Sequence, residues 1–204
     1  MKDYKRFALA AVALFVAACD NSSTPPSQLP TVTATAALNP NNNLSALVDA
    51  QTAKADSARV VSINGSSHIP LTPFFSAAQS PVRIPVLGLR SLTTYSLAVE
   101  VLGSGGSATS TPIAFTTGDL PARLKPVHIA TVSGANTTGY LYASVNFSST
   151  AFAVAFDSTG VIVWYREFPV GLPAGALGQQ PNGNFTIFLG STNGWEPVPG
   201  SYIE

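Results

Sequence analysis

The sequence predicts an all-β protein: a β-sandwich over residues 31–118, followed by the first one or two blades of a β-propeller over residues 128–204. Three observations predict it. Charged residues make up only 10% of the chain, and the Glu/Lys/Leu-rich periodic runs of helical proteins do not occur. Sixteen Gly and sixteen Pro, set among many Thr and Val, point to short strands joined by turns. Apolar residues then alternate along "TYSLAVEV", and a strand–turn–strand pattern recurs in the last third of the chain. At 46% hydrophobic residues the chain is also too apolar for a disordered one.

Residues 1–18 read as a leader. "MKDYKRF" is basic, and "FALAAVALFVAA" is an apolar run of 12 residues. As a helix that run would be about 18 Å long, against a hydrocarbon core of about 30 Å. It is too short to span a membrane, but it has the three-part layout of a secretory signal. The ending Val16-Ala17-Ala18-Cys19 resembles the lipobox of bacterial lipoproteins. That resemblance implies a chain cleaved before Cys19, lipidated on its thiol, and held in the bacterial cell envelope, at the periplasmic face or the cell surface. One acyl chain binds only marginally, so stable anchoring uses more than one. The alternative is an ordinary cleaved signal with an incidental cysteine. Since Cys19 is the only cysteine, no disulfide forms within the mature chain, and packing must supply its stability.

Residues 19–30 form a polar, proline-containing tether. From Cys19 onward there are seven Lys/Arg and nine Asp/Glu, 7 − 9 = −2, with no basic stripe. Nucleic acid is therefore not an expected partner.

Within residues 31–118 the strands follow one another closely. "TVTATAAL" alternates, "NPNNN" turns, and "LSALVDAQTA", "ARVVSING" and "VRIPVLGL" read as strands. "TTYSLAVEVLGSGG" puts Tyr95, Leu97, Val99 and Val101 on one face and Thr94, Ser96, Ala98 and Glu100 on the other. "STPIAFTTG" is the last strand, and short strands at this spacing suggest a sandwich. The stretch "LGLRSLTTYSLAVEVLGSGGSATSTPIAFTTG" resembles the closing half of a fibronectin type III domain. The resemblance puts Tyr95 at the tyrosine corner, where a buried ring returns its hydroxyl to backbone upstream. The family's usual tryptophan in the second strand is absent, since Trp164 and Trp195 both lie downstream.

Residues 119–127, "DLPARLKPV", are read as a linker, and His128 stands where the first propeller strand should begin. "FAVAFDSTGVIVWY" and "QQPNGNFTIFLG" repeat one grammar: apolar strand, polar-Gly turn, strand with an aromatic finish. "AFAVAFDSTGVIVWYREFP", "QQPNGNFTIF" and the closing "GSYIE" resemble the bacterial arylsulfate sulfotransferase family. The resemblance implies an exported six-bladed propeller that moves a sulfuryl group from an aryl sulfate to a phenolic acceptor through a transiently sulfated histidine. A blade takes about 40–45 residues, so about two fit after the linker. The expectation is a chain that is the front part of a longer protein and inactive alone.

No position here matches the family's catalytic motifs, so no catalytic residue is assigned. His68, in the loop-like "NGSSHIPLTP", reads as a surface residue, and His128 as structural. Asp157 with Asp119 or Glu167 makes a poor metal pair, because Asp157 is better explained as a turn residue; neither metal nor cofactor is expected. "GSGGS" lies between strands of a sandwich and does not follow a strand into a helix, as a phosphate loop would. The acceptor-type sites at Asn136 and Asn184 carry no weight in a bacterial lipoprotein, and Trp164 and Tyr165 read as blade packing. Expected partners are the membrane through the anchor, the aryl sulfate and phenol of the whole enzyme, and a second copy through the sandwich. The rival readings are a non-enzymatic surface binding module and a quinoprotein-like propeller.

Overall fold

The computed structural model describes residues 28–130, 139–148, 150–168, 174–179 and 185–189. The leader, Cys19, most of the tether, Asn136, Asn184, Trp195 and "GSYIE" lie outside the described residues. Every described element is a strand. In the first region these are β1 (Thr31–Asn39), β2 (Asn42–Ala53), β3 (Ser57–Asn64), β4 (Ser67–Pro70), β5 (Phe75–Ser76), β6 (Val82–Val86), β7 (Thr94–Gly103), β8 (Gly106–Thr109) and β9 (Ile113–Thr116). In the second they are β10 (Leu141–Phe147), β11 (Thr150–Phe156), β12 (Ile162–Phe168), β13 (Ala174–Gln179) and β14 (Phe185–Leu189).

Two antiparallel sheets make up the first region. One has the order β1-β2-β6; the other runs β4-β3-β7-β8, with β5 also paired to β3 and β9 to β7. Alternation drives the assembly, since each strand offers one apolar row to the opposing sheet. Val48, Ala50, Ile84 and Val86 from the first sheet meet Val60, Leu97, Val99 and Val101 from the second, all fully buried. Tyr95 packs against the edge of this core, and its Oη accepts a hydrogen bond from the Arg90 N–H at 2.8 Å.

Two short edge elements differ from expectation. His68 lies on β4, paired with Ile63 of β3, and not in a loop. "SHIP" carries no alternating apolar row, because all four of its residues are exposed, so nothing in the pattern marked it as a strand. β8 likewise presents Gly, Ser, Ala and Thr, and earns its place through backbone pairing with β7.

In the second region β10-β11-β12 form an antiparallel sheet and β13-β14 a hairpin pair. His128 does not itself lie on a strand: residues 127–130 are coil, and the first described strand of this region starts at Leu141. The expected D-x-x-G turn is present between β11 and β12. Asp157 Oδ1 accepts from the N–H groups of Thr159 and Val161, at 2.9 and 3.2 Å. Gly160 closes the turn at φ +79°, and a Cβ there would collide with the carbonyl oxygen of Ile129.

β11 is buried along both faces. Phe152, Val154 and Phe156 pack with Leu44, Leu124, Ile162 and Tyr165. Ala151 and Ala153, on the other face, pack with Ala174, Ile187 and Leu189 of β13-β14. Alanines keep that second approach close. Asn146 of β10 joins the layers, its side-chain amide exchanging two 2.7 Å hydrogen bonds with the backbone of Ala174.

Candidate functional site

The two regions are locked together, and the segment expected as a linker is part of the lock. Residues 122–126 form turns that drive Leu124 to full burial against Leu44 and Phe152. The start of β2 does the rest. Asn42, nearly buried, donates from Nδ2 to the Tyr165 carbonyl at 2.9 Å, while its Oδ1 accepts from Leu44 N at 2.8 Å. The carbonyl of Tyr165 on β12 is thus satisfied by the sandwich, so a strand edge meets a partner and not water.

Arg90 is the electrostatic part of the lock. Its side chain reaches Asp157 Oδ2 from Nη2 at 2.6 Å and from Nε at 3.1 Å, and donates to Thr159 Oγ1 at 2.9 Å. Its backbone is fixed as well: N–H to Tyr95, and carbonyl accepting from Thr117 Oγ1 at 2.5 Å. Partial burial pushes the Asp157 carboxyl up, but hydrogen bonds from Thr159 and Arg90 outweigh it and hold the group at about 2.

A cleft of about 490 Å³ opens between the two regions. Leu71, Phe75 and Leu87 wall it on the sandwich side; Tyr142, Trp164 and Phe185 wall it on the other, over a floor that includes Ala155. Tyr142 and Phe185 touch, with ring centroids 4.3 Å apart. Polar side chains among the described lining residues are Thr72, Tyr140, Tyr142, Arg166 and, through its indole N–H, Trp164. Thr72 Oγ1 already accepts from Val60 N at 2.9 Å, and Arg166 is engaged with another group of the protein. Gly88, at φ +79°, leaves the space that the Tyr140 hydroxyl occupies. Burial, and to a lesser degree Tyr140, raise the Tyr142 phenol above its ordinary range, so it stays a neutral donor.

Among the described residues singled out for chemistry, Trp164 lines this cleft and His68, His128, Asp119, Asp157, Tyr165 and Glu167 do not. His68 Nδ1 stands 2.7 Å from Glu100 Oε1, on the outer face of the sandwich. Glu100 also takes Arg59 at 2.7 Å, and that guanidinium lies 4.5 Å over the Phe74 ring. His128 Nδ1 is 3.2 Å from the Pro126 carbonyl, at an exposed position. Asp119 is paired with Lys125, Asp157 is a turn and junction residue, and Glu167 is exposed on β12. Among the described residues no three His, Cys, Asp or Glu side chains come together as metal ligands. Tyr165 is buried in the core of the second region, and Trp164 divides its surface between that packing and the cleft.

Sequence reasoning missed Arg90, Asn42, Leu44 and the cleft itself. The one signal for the first three was the pair of turns beside them, "NPNNN" and "LGLRSL", each richer in side chains than a bare turn needs. Neither a known protein family nor a curated protein matches this chain.

Proposed function

We propose that the chain is the scaffold end of an exported, Cys19-anchored lipoprotein of the arylsulfate sulfotransferase type. Its sandwich, of the fibronectin type III kind, presents propeller blades. The observation that carries this reading is the double burial of β11, with β13-β14 stacked on its alanine face as one blade stacks on the next. The strand order β1-β2-β6 against β4-β3-β7-β8 and the Tyr95–Arg90 contact support the sandwich part. The sulfuryl-carrying histidine belongs to further blades, because His68 and His128 are both exposed and outside the cleft. A nucleophile of that kind needs a pocket with donors for the sulfuryl oxygens.

The test uses the complete product of the reading frame, with 4-nitrophenyl sulfate as donor and phenol as acceptor. Phenol-dependent nitrophenolate release, unchanged in His68→Ala and His128→Ala, is the expected result. No release from the folded protein would overturn the enzyme reading, and loss in His128→Ala would overturn the scaffold role. Anchoring is tested separately: fatty-acid label should disappear in Cys19→Ser. A second reading, a non-enzymatic surface binding module, is favoured by the aromatic cleft walled by Phe75, Tyr142, Trp164 and Phe185.

A further inference from the structure

We infer that the cleft between the sandwich and the β10–β12 sheet is a binding site for a small, flat, uncharged aromatic molecule. The volume of about 490 Å³ falls within the range of small-molecule sites, roughly 300–1,000 Å³. Phe75, Tyr142, Trp164 and Phe185 present rings from both sides, and offset or edge contacts with such rings favour an aromatic ligand over an aliphatic one of equal area. The charge of the ligand follows from the polar groups. Among the described residues no carboxylate lines the walls to balance a cation. Arg166, the one charged residue among the described lining residues, is already engaged, which disfavours an anion. The hydroxyls of Tyr140 and Tyr142 are suited to orienting a single polar atom on the ligand. Because the walls come from both regions, an occupant would bridge them. The inference is independent of sulfuryl transfer.

The probe is N-phenylnaphthylamine, titrated into the full chain carrying Trp195→Phe, so that Trp164 is the only tryptophan. Saturable binding at one site per chain, with Trp164 emission falling as probe emission rises, is the expected result. Anilinonaphthalene sulfonate, a charged counterpart, should bind at least about tenfold more weakly. Ala155→Leu adds bulk to the cleft lining and should cut probe affinity by about tenfold or more, with the fold checked by circular dichroism. Should that variant not fold, Leu87→Asp, at a half-exposed rim position, should weaken the probe in a folded chain. Absence of saturable binding would overturn the inference, showing a cleft closed by the chain's own segments. Binding unaffected by the cleft variants, or equal affinity for the sulfonate, would overturn its location or its ligand class. None of these readouts depends on whether the protein transfers sulfuryl groups.

Discussion

Arg90 joins three local devices at one residue: a tyrosine contact through its N–H, a threonine contact through its carbonyl, and a carboxylate contact through its guanidinium. Removing the phenol oxygen in Tyr95→Phe leaves the Arg90 N–H without its acceptor. The expected cost is about 1 kcal/mol by chemical denaturation. Asp157 has a stronger signature, because its folded carboxyl is held at about 2 against an ordinary 3.8. A depressed carboxyl contributes stability above its unfolded value and loses it as pH falls through the folded one. The stability of the wild-type chain should therefore drop between about pH 4 and pH 2, and Asp157→Asn should flatten that part of the curve. At neutral pH the same variant should cost about 1–2 kcal/mol, since it weakens both the turn and the Arg90 pair. Glu100 is lowered too, burial opposing while His68 and Arg59 prevail, so its share of stability is also lost on acidification.

At the scale of elements, β11 decides how the second region is built. A strand buried on both faces tolerates neither a polar face nor a missing neighbour, and "TAFAVAF" meets both demands with large residues on one side and alanines on the other. Leu44→Ala opens a cavity on the large-residue side and should cost about 2–4 kcal/mol. Hydrogen exchange should show the loss in β10–β12, although the substituted residue belongs to the sandwich. Gly160→Ala should cost at least about 1 kcal/mol, through both the positive φ and the collision with Ile129. The strands that alternate, β1, β2, β3, β6 and β7, were legible in the sequence, as was the Asp157–Gly160 turn. β4 and β8 were not, because an exposed edge strand rests on backbone pairing and needs no apolar rhythm. The apolar "VHIATV" around His128 read as a strand start. In the fold its Val127 and Ile129 cover the Phe152 face, and one hydrogen bond joins Ile129 N to the Gly160 carbonyl at 3.1 Å. The cleft was illegible for a different reason: its walls come from segments far apart in the chain, and no local pattern records which of them meet.

For the whole molecule, the shared core of Leu44, Leu124 and Phe152 means that neither region has its surface complete without the other. Calorimetry of the full chain should give one transition, with equal calorimetric and van't Hoff enthalpies; two resolved transitions would show that the lock is weak. The second region should lose cooperative melting when expressed from residue 128 onward, because Leu44 and Leu124 go with the deleted part. The lock also sets an order of events. Asn42 and Tyr165 lie 123 positions apart, and contacts of such long separation form late and slowly. Chains emerge amino terminus first, so the sandwich can be complete before β12 exists. The front of the protein then acts as a template, a finished surface on which the later sheet is cast.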